Sequence, residues 1–310
     1  MFICLALVLM LSCNSKQLAS IQPHKPYKSK KLIVVLIDGP RWEETWGDST
    51  HQYQPYMASY LRNEGCIFTN FNNLGNTITN PGHCAVLTGN YESLANNGAQ
   101  LPSYPSLAQT FLQKTQHDST SAWLITSKDK LEIFKTCLQS SWSNQYMPSV
   151  DCGVGGLGTG YRHDSITFLN AMNVLQNSHP DFMFISFRDP DFSAHANDWN
   201  GYLEGIKRGD KYVYELFNFL QTDTVYKNQT TFVVTNDHGR HPDNLGGFTS
   251  HGDNCSGCKH INLFIAGPDI KKNQIITTFA EQIDLHFTLS HIHGLTNLYS
   301  KGKLIPGIFN

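Results

Sequence analysis

The sequence predicts an α/β fold, a mostly parallel central sheet with helices on both faces in a three-layer sandwich. Short apolar runs of strand length alternate along the chain with segments of helical spacing, the order that produces parallel strands joined by crossover helices. Each run is continuous and apolar, as a buried strand is. Three of the runs end abruptly in Asp- and His-containing turns.

In chain order, Leu32 to Ile37 is the first strand and runs into Asp38-Gly39. A helix over Pro81 to Thr88 follows, with Pro81 at the first helical position, where its missing N–H would have no intrahelical partner. Ser106 to Gln113 is helical, Ala122 to Thr126 a strand, and Ser165 to Gln176 a helix. The strand Phe182 to Phe187 leads into Arg188-Asp189-Pro190-Asp191, with His195 four residues beyond. In Tyr202 to Leu220, the residues Ile206, Val213, Leu216, Phe217 and Leu220 keep helical spacing. The strand Thr231 to Thr235 runs into Asn236-Asp237-His238-Gly239, and a strand Ile261 to Ala266 and a helix Ala280 to Ile292 complete the pattern.

The length of 310 residues allows two modest domains or one large one, and with no repeat or compositional shift after Lys31 we expect one domain over 31–310. Lys plus Arg is 23 and Asp plus Glu is 25, a net charge of −2. That excludes nonspecific nucleic-acid binding, which needs a basic excess. The composition also excludes disorder, collagen and coiled coil.

Phe2 to Leu11 is an apolar run of ten residues, short of a bilayer span but suited to a signal peptide. Leu11-Ser12-Cys13-Asn14 resembles the lipobox of bacterial lipoproteins. Residues 1–12 are therefore expected to be a lipoprotein-type signal peptide, Cys13 the site of a lipid anchor to the membrane, and 13–30 a polar tether. The expected location is the periplasm or cell surface of a bacterium, with an ordinary cleaved signal as the alternative. Export permits disulfides. Cys66, Cys84, Cys137, Cys152, Cys255 and Cys258 allow fifteen pairings, which the sequence leaves open. Cys255-Ser256-Gly257-Cys258 reads as a structural disulfide, since a zinc knuckle would need a second ligand pair from nearby histidines.

In sheets of this kind ligands bind beyond the carboxyl ends of the strands. There the chain offers Asp38, Asp191, His195, Asp237, His238 and, a little later, His251. Any one alone would pass for a cap or turn residue; their recurrence at three strand ends points to metal. Zinc takes imidazole nitrogen and carboxylate oxygen, and Asp191 and His195 at i and i+4 share one side of a helical turn. Thr79 and Asn80 precede Pro81 at a helix N-terminus, where backbone N–H groups favour a phosphate. A hydroxyl there, beside a metal, is an activated nucleophile.

From Lys31 to Leu295 this order of residues resembles the alkaline phosphatase superfamily, and within it single-domain members akin to type I phosphodiesterases and nucleotide pyrophosphatases. The most specific segments are Val34 to Gly39, Thr79-Asn80-Pro81-Gly82-His83 with Leu87-Thr88-Gly89, Asp189-Pro190-Asp191 with His195, and Thr235 to Arg240. The resemblance implies two divalent metal ions, expected to be zinc. Asp38, Thr79, Asp237 and His238 would hold one, and Asp191, His195 and His251 the other, with His260 the alternative last ligand. It also implies attack by Thr79 on phosphorus and a phosphothreonine intermediate. The Asn80 N–H, with the side chain of Asn96 or Asn97, would meet a nonbridging oxygen. Ala194 and Phe287 depart from the family's usual Gly and Pro. Sulfatases of this fold use Cys or Ser in a Cys/Ser-x-Pro-x-Arg motif, whereas here Thr79 heads the segment.

The expected substrate is a small phosphoester. Arg41, Arg162, Arg188 and Arg240 could meet a monoester dianion, and Trp42, Trp46, Tyr91 or Phe248 the second substituent of a diester. Arg41 and Arg240 lie within three residues of expected ligands, which tilts the expectation toward a phosphomonoesterase. A phosphodiesterase, a sulfatase-like hydrolase and a non-catalytic metal-binding lipoprotein follow in that order.

Overall fold

The computed structural model describes residues 26–253 and 255–310, so the expected signal peptide and Cys13 anchor lie outside the described residues. Its strands are β1 (Lys31–Ile37), β2 (Gly65–Asn72), β3 (Ala122–Thr126), β4 (Ser149–Cys152), β5 (Phe182–Phe187), β6 (Thr230–Thr235), β7 (His260–Ala266), β8 (Gln274–Ile276) and β9 (Ala280–Glu281). Its α-helices are α1 (Thr79–Thr88), α2 (Leu107–Thr115), α3 (Asp164–Ser178), α4 (Asp191–His195), α5 (Trp199–Thr222), α6 (Ser256–Lys259) and α7 (Gln282–His293). All the strands join one sheet in the order β4-β3-β5-β1-β6-β7-β2-β8, with β9 beside β2.

β1 lies between β5 and β6 and is parallel to both. The register sets Ile37 opposite Phe187 and Leu36 opposite Thr235. Asp38, Arg188 and Asn236 therefore leave the sheet at one edge, the geometry that makes a ligand crevice. Successive side chains of β1 alternate between two cores, as strand geometry requires. Leu32, Val34 and Leu36 pack with Leu107, Phe111, Leu285 and Leu289 of α2 and α7. Ile33 and Val35 pack with Phe168, Leu175, Val213 and Leu216 of α3 and α5. These two layers bury the sheet on both faces.

β7 runs antiparallel to both β6 and β2. The pairing of β2 shifts register between Phe68 and Phe71, where Thr69 and Asn70 interrupt its apolar run. Gly82 lets α1 press against the turn that follows β6, since a Cβ there would stand 2.5 Å from the Asp237 carbonyl oxygen. This contact brings the N-terminus of α1 to the strand ends. Among the described residues no helix is long and apolar enough to cross a membrane.

α7 carries two fully buried histidines whose protonation opposes folding. Neither ring nitrogen of His286, nor Nε2 of His293, has a hydrogen-bond partner among the described residues. Burial pushes both down to about 3 from an ordinary 6.5. The unfolded chain thus binds more protons between about pH 6.5 and pH 3, so the stability of the neutral pair is complete above pH 6.5 and is lost as the pH falls. Each costs roughly 2 kcal/mol on going from pH 7 to pH 5, and together they lower Tm by about 6 °C. Thermal melts at the two pH values would show it, and His286→Leu should halve the drop; an unchanged drop would contradict the assignment.

Candidate metal centre

Asp38 follows β1 directly and is fully buried. Gly39 turns the chain at φ +64°, and a Cβ there would meet Arg240 Nη1 at 2.8 Å and His238 Cε1 at 3.0 Å, so both conformation and space require glycine. The Gly39 N–H donates to Asp237 Oδ1 at 3.2 Å. The Asp237 carbonyl accepts from Asn73 Nδ2 and Gln282 Nε2, each at 2.8 Å. The turn after β6 is held on two sides.

His238 Nδ1 lies 2.9 Å from the Gly239 carbonyl, which fixes the ring proton on that nitrogen. Its Nε2 faces Asp237 Oδ2 at 3.4 Å and Asp38 Oδ1 at 3.6 Å, and is buried without a hydrogen-bond partner among the described residues. Burial pushes this imidazole down to about 3, so it is neutral and its lone pair is available. On the other side, Asp191 Oδ1 stands 3.2 Å from His195 Nε2 and 3.3 Å from His251 Nε2, and the two imidazole nitrogens are 3.0 Å apart. His251 Nδ1 meets the Thr77 carbonyl at 2.8 Å, which again turns a lone pair on Nε2 inward. The His238 and His251 rings stack at 3.8 Å between the two groups. Asp38, Asp237 and His238 present donor atoms within 4.8 Å of one another, as do Asp191, His238 and His251.

Lys128, just past β3, sits between these groups. Its ammonium is 2.7 Å from Asp38 Oδ2, 2.7 Å from Asp191 Oδ2 and 3.3 Å from Thr79 Oγ1. Burial would strip its proton, but Asp191, Asp38 and Asp237 outweigh burial and hold its pKa above the ordinary value. Burial also tends to raise Asp191, yet Lys128, His195, His251 and Arg240 keep it well below the usual carboxylate range. Asp38 goes the other way, pushed up by burial and then by the charge on Asp237. Three buried carboxylates (−3) face one ammonium and the Arg240 guanidinium (+2), which leaves −1. That surplus, the orphaned His238 Nε2 and the oxygen–nitrogen donor set fit divalent cations.

A cavity of ≈ 550 Å³ opens over Thr79, Lys128, Asp191, His195 and His251. The rest of its wall includes Asn96, Lys130, Tyr161 and Phe192. Thr79 opens α1 and is buried, and its carbonyl meets His83 Nδ1 at 2.8 Å. Lys130 Nζ donates to Asn96 Oδ1 at 3.0 Å, and the same oxygen accepts from the Asn80 N–H at 2.9 Å.

The structure brings together all seven side chains expected to hold metal. Of the alternatives it places His251 there, while His260 stacks on Trp42 at 4.5 Å. Other expectations need correction. Asn97 is exposed and its Oδ1 accepts from the Ala99 N–H at 3.0 Å, closing its own turn, whereas Asn96 reaches the cavity. Arg41 is engaged by Glu44 at 2.8 Å and Asp243 at 2.6 Å and does not line the cavity. Arg240 is fully buried, with Nη1 on Asp191 Oδ1 at 2.5 Å and its other nitrogens on the Phe248 and Thr249 carbonyls, so it orients a ligand and has no donor turned to substrate. Phe248 packs on Trp199 and Tyr202, leaving Tyr161 and Phe192 as the aromatic walls. The expected disulfide is absent too, since Cys255 and Cys258 are free thiols. Lys128 and Lys130 are the pair that sequence reasoning passed over; their signal was a position directly after the Ala122–Thr126 strand.

A family model described as sulfatase matches residues 30–295. No curated protein matches the chain. Solved structures with a similar fold include a phosphonate monoester hydrolase from Silicibacter pomeroyi, at 17% identity and a TM-score of 0.63 over 89% of this chain and 76% of that one. Murine ectonucleotide pyrophosphatase/phosphodiesterase 5, solved as an inactive variant with AMP, is 15% identical with a TM-score of 0.64 over 89% of this chain and 98% of that one. A lipoteichoic acid synthase from Listeria monocytogenes is 14% identical with a TM-score of 0.62 over 87% and 73% of the two chains. At these identities the likeness is one of fold.

Proposed function

Because the chain belongs to the sulfatase family, within the alkaline phosphatase superfamily, we propose that it is a metal-dependent phosphoester hydrolase with Thr79 as nucleophile. The observation that carries this reading is the Thr79 hydroxyl, 3.3 Å from the Lys128 ammonium at the wall of a cavity that Asp191, His195 and His251 also line. Asp38, Thr79, Asp237 and His238 would hold one divalent ion and Asp191, His195 and His251 the other; bound there, the ions would acidify a hydroxyl and neutralise phosphoryl oxygens.

The chain's own residues account for the rest. Thr79 Oγ1 attacks phosphorus, the bond to the leaving oxygen breaks, and a phosphothreonine forms; water then attacks phosphorus and restores the hydroxyl. Lys128 stabilises the threonine oxygen as it gains negative charge. The Asn80 N–H is spent on Asn96 Oδ1, so Lys130 and the Asn96 amide, both on the cavity wall, offer the donors to nonbridging oxygens. Even with the three carboxylates ionised, two divalent ions beside Lys128, Lys130 and Arg240 would make the site strongly positive, suited to a dianion. We therefore favour a phosphomonoester, on Lys128 and Lys130 in place of the engaged arginines. A diester is the second reading, because Tyr161 and Phe192 give the cavity aromatic walls. Sulfatase activity fits less well, since Thr79 stands where that chemistry uses a modified Cys or Ser.

Zinc-loaded protein assayed in parallel on aryl phosphate, bis-aryl phosphate and aryl sulfate tests the reading. Preference for aryl phosphate supports it, and turnover of sulfate alone would overturn it. Lys130 adds a pH signature. Burial and the charge on Lys128 pull it down to about 8, so it is charged at neutral pH and loses its proton above about 8. The monoester kcat/KM should decline on that limb, and Lys130→Arg should carry activity to higher pH. Identical alkaline limbs for the two proteins would count against a charged Lys130 at the substrate.

A further inference from the structure

Outside the cavity, the loop that carries His251 holds another group of metal-binding side chains. His241, Asp253, Cys255 and Cys258 each present a donor atom, and the four lie within 4.8 Å of one another. His241 Nε2 is 3.1 Å from Asp253 Oδ2 and is buried without a hydrogen-bond partner among the described residues. The Cys255 N–H donates to Asp253 Oδ1 at 2.9 Å, and the Cys258 N–H to Cys255 Sγ at 3.4 Å. The turn is packed to fit. A Cβ on Gly257 would stand 2.4 Å from the Arg240 carbonyl oxygen, and one on Gly239 would stand 2.0 Å from the Gly257 carbonyl oxygen.

The geometry points to a structural zinc site formed by His241, Asp253, Cys255 and Cys258, separate from the candidate metal centre. Nitrogen, oxygen and paired sulfur donors without an open position are those of a closed tetrahedral site. Bond lengths of about 2.0–2.3 Å separate the donors of such a tetrahedron by roughly 3.3–3.8 Å, inside the 4.8 Å that bounds the four donor atoms here. On binding, both thiols release their protons to solvent, and two thiolates and a carboxylate (−3) against Zn²⁺ (+2) leave −1.

The site would staple His241 to the Asp253–Cys258 turn and so close the loop that holds Phe248, Thr249 and His251. Thr77 links it inward, with Oγ1 donating to the Asp253 carbonyl at 2.6 Å and its own carbonyl meeting His251 Nδ1 at 2.8 Å. The ion would thereby fix a ligand of the catalytic centre and the segment leading to Thr79. This inference stands on its own donor set and does not depend on the substrate.

The test uses the purified full chain, first with Zn²⁺ and then with Co²⁺ in its place. Cobalt held by Cys255 and Cys258 should give a near-ultraviolet thiolate-to-metal charge-transfer band, retained in Asp191→Asn and lost in Cys255→Ser/Cys258→Ser. The double variant should hold one zinc ion fewer per chain than the parent. Absence of the band in the parent overturns the proposal, as does an intact mass lower by two hydrogens from a Cys255–Cys258 disulfide formed with zinc present. The cobalt spectrum of the parent decides the matter even where the double variant does not fold.

Discussion

Thr79→Ala should abolish turnover of aryl phosphate, with a loss on the order of 10³ to 10⁶ in kcat, the range seen when a covalent nucleophile is removed. Thr77 Oγ1 is committed to the Asp253 carbonyl at 2.6 Å. Stability should change little, because among the described residues Thr79 Oγ1 accepts one side-chain hydrogen bond, from Lys128 at 3.3 Å, and the helix that it opens keeps its backbone contacts. Thr79→Ser should retain activity and accumulate a phosphoserine when its hydrolysis is slow, visible as an intact-mass increase after quenching. Full turnover by Thr79→Ala would remove the nucleophile assignment and leave direct attack by water.

Lys128→Met should have two separable effects. In metal-free protein it leaves Asp38, Asp191 and Asp237 without their shared ammonium, and breaking a buried ion pair by removing one partner costs about 3–5 kcal/mol. Excess divalent cation should recover most of that loss, since the same carboxylates would then be neutralised by the ion. The rate should stay low, by roughly 10²–10³ as for loss of a preorganised donor to a developing charge, because no other ammonium lies at Thr79 Oγ1. Melting with chelator and with zinc, alongside kcat on aryl phosphate, would separate the two. Recovery of stability and rate together on adding zinc would mean that Lys128 only substitutes for an ion.

The strands around the site were legible because their signal is local and concentrated. β3 and β5 have the bounds read from the sequence, and β1, β6 and β7 begin one residue earlier. The antiparallel part was not. β2 mixes Cys, Ile and Phe with Thr and Asn and pairs across a register shift, so its periodicity is broken where its partners take over. The side chains proposed to hold metal could be read because each follows a strand at one edge of the sheet or sits in a motif of restricted composition. Arg41 and Arg240 misled because proximity in sequence does not reveal which way a guanidinium points; Glu44, Asp243 and the Phe248 carbonyl decide that, and one of the three, Asp243, lies 202 residues from the arginine it engages. Lys128 was obscure for a related reason, since a lysine acquires its meaning here only from carboxylates 90 residues before it and 63 residues after it in the chain.

Arg240 has a further bearing on how a catalytic cycle ends. Its guanidinium is fully buried and grips Asp191 on one side and the half-buried backbone at Phe248 and Thr249 on the other. Swinging that loop outward would strip the buried guanidinium of its two carbonyl partners and leave their donors unsatisfied, a cost well above thermal energy. The loop is therefore a wall rather than a gate. In the proposed reaction, product would leave by exchange with solvent through the open side of the cavity, which Tyr161 and Phe192 wall.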